Sequence, residues 1–434
     1  MSAPPGTASL AQKLWRGAGV VIGVKLLGAG LTYVMFVMLA RAMTDTGYGV
    51  FSTGFSLATI LAQLALLGQA QLVLRELPRF EVSHDSRPAR AFLRLGYLRV
   101  MAGLLLVALG LATAAFAGLN APLSAVFVLV LSLALADFQQ QALRGRGHIF
   151  RAFLPRDILW RLGVIAVCGA ALAGWGAPLS GQGGIWAAAL ILLVLVLAQS
   201  FADRPTMIWR RGTAPLPARR HMRASAHYWF SSVISIGVPN LSTITVGVFL
   251  SIEDAALFFA ATKTAQAMQF LPTAMILVGA PQVSRAFHNA DMGSVQQICR
   301  LIAGFVLVVV AGLSVVLLGF GQDILSAFGA GFERAYPVLL ILVAGYSVSA
   351  LCGPTNALMS LSDNQAVLNR AMLIANAGAI ALFPLAAWGF GMVGVAACFA
   401  GAVAGWNLWV RNWIRKEMAV ESSVLTLLPG YPAR

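Results

Sequence analysis

The sequence predicts an all-α polytopic membrane protein of about twelve transmembrane helices, because apolar runs long enough to cross a bilayer fill the chain. Hydrophobic residues make up 59% of the 434 residues, charged residues only 10%, and the mean hydropathy is +0.81. A soluble domain carries about a quarter charged residues, so this chain could not cover its surface in water. Nearly all basic residues also fall in alternate gaps between the runs, as in a membrane protein of fixed orientation.

Each predicted span is a run of roughly 20 mostly apolar residues, since lipid cannot satisfy open backbone groups. The spans are Gly17–Ala40, Tyr48–Leu74, Leu95–Leu119, Ala121–Leu143, Ile158–Leu179, Gly183–Phe201, Tyr228–Ser251, Ala255–Val283, Leu301–Phe320, Tyr336–Leu361, Ala371–Trp388 and Val393–Trp413. The first run exceeds a signal peptide's apolar region of about 7–15 residues, so we expect an uncleaved first span. A turn around Gly389–Gly391 separates the last two spans.

The distribution of basic residues predicts that both termini are cytoplasmic. Of the 30 lysines and arginines, all but Lys25, Arg41, Lys263 and Arg334 lie in or beside the gaps on one side. Basic residues in short loops mark the cytoplasmic side. The net charge of +15 is thereby explained by topology and contact with anionic lipid heads, and no nucleic-acid partner is expected.

The predicted organisation is a pair of six-helix bundles. Residues 1–16 form a cytoplasmic N-terminus, 17–203 the N-terminal bundle, 204–227 a cytoplasmic linker, 228–413 the C-terminal bundle and 414–434 a cytoplasmic tail. Aligning Asp45 with Glu253 also aligns Phe51 with Phe259, which is the faint similarity that a duplicated bundle leaves. Substrate sites of such duplicated transporters lie between the halves.

Ionisable residues inside spans are the first candidates for a substrate cavity. Lys25 and Lys263 are each predicted to lie about 13 Å deep, one in each half, at a helix rise of 1.5 Å per residue. A buried charge costs roughly 2.5–3.5 kcal/mol on insertion scales, so it indicates function unless it snorkels or pairs. The two lysines predict a shared cationic cavity for an anionic headgroup. Asp137 is either a local partner of Arg99 or Lys25 or a proton-coupling group.

Polar residues and prolines inside spans complete the predicted site. Asn240 and Gln266 are cavity candidates, because the many amides inside spans fit a wet, sugar-compatible interior better than an apolar bundle. Pro239 and Pro272 are hinge candidates, with a static kink as the alternative. The chain has no Walker loop, paired catalytic carboxylates or metal-ligand spacing, so no catalytic residue, metal or cofactor is expected.

Several segments resemble the polysaccharide transporters, the O-antigen and exopolysaccharide flippases of the multidrug/oligosaccharidyl-lipid/polysaccharide (MOP) exporter superfamily. They are Leu39–Met43, Asp45–Phe51, Leu143–Gly147 and Gly353–Leu358, and the twelve-span layout covers nearly the whole chain. The resemblance implies a MATE-like fold in a bacterial inner membrane. It also implies a polyprenyl-diphosphate-linked oligosaccharide substrate, alternating access and a cationic cavity lined by spans one, two, seven and eight. A polysaccharide polymerase and a chain-length regulator are the implied partners, besides membrane lipids.

Two other function classes stay open. A cation-coupled multidrug exporter of the same fold would need buried carboxylates, of which only Asp137 qualifies. A membrane-embedded sugar polymerase or acyltransferase would need catalytic residues in a large outer loop, and the longest external gap offers only Asp323, Glu333 and Arg334. The sequence therefore favours a flippase for surface polysaccharide over a drug exporter or an enzyme.

Overall fold

The computed structural model describes residues 23, 26–81, 86–118, 121–175, 178–202, 218–289, 291–362 and 364–428. Every regular element in these ranges is helical, which confirms the all-α prediction. The α-helices are α1 Leu26–Arg41, α2 Asp45–Ala65, α3 Gln69–Glu81, α4 Ser86–Phe116, α5 Leu123–Gly145, α6 Ile149–Phe153, α7 Trp160–Leu172, α8 Gly181–Ala202, α9 Ala218–Phe249, α10 Ile252–Ala265, α11 Phe270–His288, α12 Met292–Ser326, α13 Tyr336–Leu351, α14 Thr355–Leu361 and α15 Gln365–Glu417. A π-helical turn covers Leu154–Leu159, and 3₁₀ turns cover Gln266–Gln269, Phe332–Ala335 and Val424–Leu427.

The described helices make this a multi-pass membrane protein. By length and composition, 8 helical stretches among the described residues could cross a membrane, and α2, α5, α8, α12 and α15 are among them in full. Lipid-exposed apolar side chains such as Leu106 on α4, which is 65% exposed, fit this environment. The predicted twelve spans and the cytoplasmic position of both termini stay predictions.

The helix α15 contains the last two predicted spans and is interrupted at Gly391. The dihedral angles of this residue, φ 60° and ψ −148°, are not helical. Glycine adopts a positive φ at little cost because it has no Cβ. The interruption falls within the predicted turn between the two spans.

Three other predicted spans are interrupted inside the apolar run. The second breaks at Leu67 and Gly68, where φ is 47° and 73°, and the tenth breaks at Gly353, where φ is 82°. The eighth changes to a 3₁₀ turn at Gln266–Gln269. Hydropathy measures the side chains of a run, so it does not register a change of backbone conformation within it.

Contacts divide the chain into two units. The N-terminal unit comprises Val34–Phe259 and Ala387–Met392, and the C-terminal unit comprises Met1–Tyr33, Ala260–Ala386 and Val393–Arg434. The helix α9 therefore groups with the N-terminal unit. Residues 204–217 of the predicted linker lie outside the described residues, and its remainder belongs to α9. The division into duplicated halves at this linker stays a prediction.

The helix α2 is the centre of the N-terminal unit, where it packs against α4, α5, α8 and α9. An aromatic cluster fills one side of it, with the rings of Phe36 and Phe259 5.1 Å apart. On another side a Cβ at Gly49 would lie 2.0 Å from the Ile252 carbonyl oxygen, so a glycine is required there. Small residues let membrane helices approach closely and gain van der Waals contact.

The helix α12 is the centre of the C-terminal unit, where it packs against α11, α13 and the last 3₁₀ turn. The hydroxyl of Tyr33 on α1 donates a hydrogen bond of 3.0 Å to the Ile324 carbonyl oxygen on α12. A Cβ at Gly345 on α13 would lie 2.7 Å from Ala400 on α15. These contacts hold four helices together and position the polar groups of the candidate site.

Candidate functional site

The two lysines of the predicted cationic cavity differ in what the structure says of them. Lys25 lies outside the described residues. Lys263 lies half-buried in the last turn of α10, beside the buried Thr264, whose hydroxyl donates to the Ala260 carbonyl oxygen at 2.9 Å. A common cavity for the two ammonium groups stays a prediction.

Asp137 on α5 is a buried carboxylate that forms an ion pair. Its Oδ1 accepts a hydrogen bond from Arg156 in the π-helical turn, and its Oδ2 accepts one of 3.1 Å from Gln63 on α2. The sequence-based partner was Arg99 or Lys25; among the described residues Arg156, and not Arg99, pairs with Asp137, and Lys25 lies outside those residues. Breaking such a buried pair is costly, because it leaves one uncompensated charge.

A second buried carboxylate, Asp157, extends this network within the N-terminal unit. Its Oδ1 is 3.2 Å from a guanidinium nitrogen of Arg161, and its Oδ2 accepts a long hydrogen bond of 3.4 Å from Gln140. Gln140 also accepts a hydrogen bond of 3.3 Å from Arg156, so the two ion pairs share one amide. Both carboxylates are thus neutralised by arginines of the same unit.

Asn240 and Pro239 lie within the continuous helix α9. The Asn240 side-chain amide is buried and donates a hydrogen bond of 2.9 Å to the Ile236 carbonyl oxygen in its own helix. Ser242 and Thr243 donate to the Pro239 carbonyl oxygen at 3.0 and 3.3 Å. A proline lacks an N–H and often kinks a helix, and here side chains supply local hydrogen bonds. The hinge at Pro239 stays a prediction.

Gln266 and Pro272 lie close together in the C-terminal unit. Gln266 begins the 3₁₀ turn, and its side chain is half-buried. Pro272 lies in the first turn of α11 and lines a cavity of about 110 Å³. Of these two predicted residues, Pro272 lines a polar pocket that the sequence did not predict, and Gln266 does not line it.

This cavity, which we call the amide pocket, lies wholly within the C-terminal unit. Its polar lining consists of uncharged amides and hydroxyls, namely Gln269, Thr273, Ser349, Thr355, Asn356 and Asn407. The indole of Trp406 also lines it. These side chains come from the 3₁₀ turn and from α11, α13, α14 and α15, so the breaks before α11 and before α14 both open onto the pocket.

Asn407 is the buried hub of the amide pocket. Its Oδ1 accepts a hydrogen bond of 3.0 Å from the Thr355 hydroxyl, and its Nδ2 donates 2.8 Å to the Ser349 hydroxyl and 2.8 Å to the Val403 carbonyl oxygen. A buried amide satisfied on both sides is rigid, because each of its lost bonds would leave an unpaired polar group. The pocket wall is therefore held in one arrangement.

A C-terminal segment supports the other wall of the pocket. A Cβ at Gly353 would lie 1.8 Å from the Ser422 carbonyl oxygen, and the Ser422 hydroxyl donates 2.8 Å to the Cys352 carbonyl oxygen. The Gln296 side chain on α12 donates a hydrogen bond of 3.0 Å to the Glu421 carbonyl oxygen and accepts one of 2.8 Å from the Glu421 N–H. We call residues 420–428 the C-terminal clasp, because they join α12, the break before α14 and the end of α15.

Glu421 is the charged anchor of the clasp. Its carboxylate accepts hydrogen bonds from Nε and Nη2 of the Arg411 guanidinium, at 2.9 and 2.5 Å, and from the Ser423 hydroxyl at 2.6 Å. Burial would by itself raise the pKa of Glu421. The hydrogen bonds from Arg411 and Ser423 together with the Arg411 charge outweigh burial, so the pKa lies below its ordinary value.

Sequence reasoning missed the amide pocket and the clasp for different reasons. Gly353–Leu358 was singled out only as a resemblance, and Asn356 and Asn407 as scattered polar residues of spans. The clasp falls in the predicted cytoplasmic tail 414–434, where Glu421, Ser422 and Ser423 look like an ordinary polar loop. The signal that was present is the mixture of serines with Val420, Leu425 and Leu427, since a purely solvated tail does not need apolar residues.

Structural comparisons define the class of protein, and they show the fold alone. A multidrug resistance MATE family transporter of the MOP superfamily, solved in an inward-facing conformation, matches with a TM-score of 0.73 at 12% identity, over 93% of this chain and 98% of that chain. A MOP superfamily transporter from Pyrococcus furiosus matches with a TM-score of 0.61 at 14% identity, over 93% of this chain and 95% of that chain. A Vibrio cholerae MATE transporter matches with a TM-score of 0.54 at 15% identity, over 97% of this chain and 99% of that chain. The fold is that of MOP superfamily transporters.

The family follows from the sequence. The model of the polysaccharide biosynthesis protein family matches residues 14–287, more than half of the chain. The chain belongs to this family, and the resemblance to polysaccharide transporters of the MOP superfamily is confirmed. No protein of curated function matches the sequence.

Proposed function

We propose that this protein is a flippase that moves polyprenyl-diphosphate-linked oligosaccharide repeat units across the bacterial inner membrane by alternating access. The observation that carries the proposal is the family match over residues 14–287, combined with a transporter fold over nearly the whole chain. The family indicates polysaccharide biosynthesis, and the fold indicates transport. Together they favour the delivery of a sugar precursor across the bilayer.

The charge of the substrate fits the basic residues predicted within spans. A diphosphate headgroup is attracted to ammonium groups that are partly removed from water, and Lys263 lies half-buried in the last turn of α10. In this proposal Lys25 and Lys263 face a central cavity, with Asn240 and Gln266 near the transport path and Pro239 and Pro272 as hinges, while Asp137 holds Arg156 in place beside that path. A polysaccharide polymerase and a chain-length regulator then use the delivered repeat units.

The alternative is a cation-coupled multidrug exporter, since solved structures of that description share the fold. Such an exporter needs a carboxylate that exchanges one cation for another. Asp137 and Asp157 are already neutralised by Arg156 and Arg161. These arginines are part of the protein, so they cannot be exchanged for a cationic drug. The two carboxylates therefore do not supply the exchange site that a drug exporter needs, which favours the flippase.

The experiment that tests the function is deletion of the gene, followed by analysis of lipid-linked intermediates. We expect surface polysaccharide to be lost and the lipid-linked repeat unit to accumulate in the cytoplasmic leaflet. Normal polysaccharide together with increased drug sensitivity would contradict the flippase and support the exporter.

The double substitution Lys25→Ala with Lys263→Ala tests the cationic cavity. We expect it to abolish complementation at normal protein level, because removing both ammonium groups removes the attraction for the diphosphate. Arginine at both positions keeps the charge and is the matched control, which we expect to retain part of the activity. Full complementation by the alanine variant would reject the cavity while leaving the transport function open to the deletion test.

A further inference from the structure

We propose that the amide pocket is a binding subsite for one uncharged sugar ring, separate from the cationic site expected for the diphosphate. This inference rests on the proposed function, because it assigns the oligosaccharide part of the substrate to a named place in the C-terminal unit. The pocket lies in a single unit, and its lining is known residue by residue.

The size of the amide pocket limits its occupant to one ring. Its volume is about 110 Å³. A dry cavity of about 150 Å³ holds a benzene ring, and drug-sized ligands need roughly 300–1,000 Å³. The pocket is smaller than the cavity that encloses benzene, so it can enclose only part of one six-membered ring, and it is far too small for a whole oligosaccharide.

The chemistry of the lining selects a neutral polyol. None of the residues that line the pocket carries a charge. A phosphate or a uronic acid would lose its hydration without gaining a cation, and a cationic drug would find no carboxylate. Amides and hydroxyls instead offer both donors and acceptors, which match the hydroxyl groups of a sugar.

Three groups of the pocket are available to a ligand. Among the described residues, the side-chain amides of Gln269 and Asn356 and the indole N–H of Trp406 make no hydrogen bond to protein. Asn407, Thr355 and Ser349 are by contrast bound to one another. The fixed hub shapes the pocket, and the three unused groups supply its recognition.

Trp406 adds an apolar face to these polar groups. Its side chain is only 9% exposed, so the ring is held in place by its surroundings. An indole presents a large apolar surface with one donor, which suits a sugar ring that has apolar C–H faces and polar edges. The rim is formed by Thr273 and Asn356, both exposed, so a ring can enter without unfolding the wall.

The test is sugar binding by the full-length protein in lipid nanodiscs, because detergents with sugar headgroups would compete. The probes are methyl glucoside, methyl galactoside and methyl N-acetylglucosaminide, measured by saturation-transfer NMR. We expect at least one of them to bind with a dissociation constant on the order of 1 mM, since so small a ligand gains little free energy. Methyl glucuronide and choline, the anionic and cationic probes, are expected not to bind.

The variants Trp406→Phe and Asn356→Ala are expected to weaken binding at least tenfold. Trp409→Phe is the matched control, because Trp409 lies three residues further on the same helix, is 43% exposed and does not line the pocket. Thermal melting in the nanodisc checks that each variant is folded. Absence of binding by all three neutral probes, equal binding in Trp406→Phe and Trp409→Phe, or tighter binding of methyl glucuronide would each overturn the proposal.

Failure of the subsite is distinguishable from failure of the flippase. If gene deletion abolishes surface polysaccharide but the neutral probes do not bind, the subsite is wrong and the transport function stands. If the probes bind through Trp406 but deletion leaves polysaccharide intact, the subsite is right for another sugar-bearing ligand, such as a glycolipid, and the flippase is wrong.

Discussion

At the scale of single residues, Gly353 joins the amide pocket to the C-terminal clasp. It lines the pocket, has a φ of 82° and lies so close to Ser422 that a Cβ would be 1.8 Å from the carbonyl oxygen. The carbonyl oxygen belongs to backbone and cannot move aside as a flexible side chain could. Glycine at this position is thus required by conformation and by space together.

We expect Gly353→Ala to destabilise the C-terminal unit. A left-handed conformation costs a non-glycine residue about 1–2 kcal/mol, and displacement of the clasp adds to this. The measurement is thermal melting of the purified protein. Gly378→Ala on α15 is the control, because a Cβ there meets nothing within 4 Å, and alanine is roughly 0.5–1 kcal/mol better than glycine inside a helix. Equal melting temperatures for the two variants would refute the role of Gly353.

The ion pair of Asp137 and Arg156 gives a second prediction at this scale. We expect Asp137→Asn to destabilise the protein by less than the roughly 3–5 kcal/mol of a fully buried pair, because Arg156, 27% of whose side chain is exposed, would lose its counter-charge. The double variant Asp137→Asn with Arg156→Gln is expected to lose less free energy of unfolding than the two single variants lose together. Additive losses in this cycle, measured by unfolding, would show that the two side chains do not interact.

Sequence reasoning found Asp137 but not its partner. The carboxylate was identified because charges inside apolar runs are rare. Arg156 was assigned to topology with the other cytoplasmic arginines, since nothing in a linear sequence marks which of them turns inward. The π-helical turn at Leu154–Leu159, which carries Arg156 towards α5, has no hydropathy signal of its own.

At the scale of elements, the clasp shows how a short polar segment fastens a helical bundle. Residues 420–423 are all buried, and Glu421 binds Arg411 while its backbone pairs with Gln296. The bond to Arg411 spans ten residues, and the bond to Gln296 joins positions 125 residues apart in the chain. The clasp therefore ties α12 and α15 together beside the pocket.

The charge of Glu421 makes the stability of this element depend on pH. Because the folded pKa lies below the ordinary value of about 4.3, the ionised carboxylate stabilises the folded state above that pH. This contribution is lost as the pH falls through the folded pKa. We expect the melting temperature of the native protein to fall more steeply below about pH 4.3 than that of Glu421→Gln.

The control for the pH experiment is Glu417→Gln, because Glu417 is exposed at the end of α15, the helix that carries Arg411. Its acid profile should follow that of the native protein. If Glu421→Gln and the native protein lose stability in parallel, the carboxylate does not carry the clasp.

The elements also mark the limit of what hydropathy predicts. Apolar runs located the helical stretches, and Gly389–Gly391 located the break at Gly391, because two nearby glycines are a visible turn signal. The break at Gly68 was not predicted, and at Gly353 the following Pro354 indicated only a kink within span ten. Those breaks create the polar surfaces, so the pocket could not be found from the pattern that found the helices.

At the scale of the whole molecule, the account combines a charged and a neutral recognition site. The family match and the transporter fold support passage of a sugar precursor. In our proposal the two lysines bind a diphosphate and the amide pocket binds one sugar ring. A substrate recognised by both parts would be distinguished from an ordinary phospholipid, which has the phosphate but not the sugar.

The central claim is transport of a lipid-linked oligosaccharide, and the most direct measurement is flipping in proteoliposomes. The purified protein is reconstituted with a fluorescent polyprenyl-diphosphate oligosaccharide, and a membrane-impermeant glycosidase added outside reports the accessible fraction over time. We predict that this fraction rises above the outer-leaflet share in liposomes with the native protein and stays at that share in protein-free liposomes. An accessible fraction that remains at the outer-leaflet share with folded native protein would contradict the account.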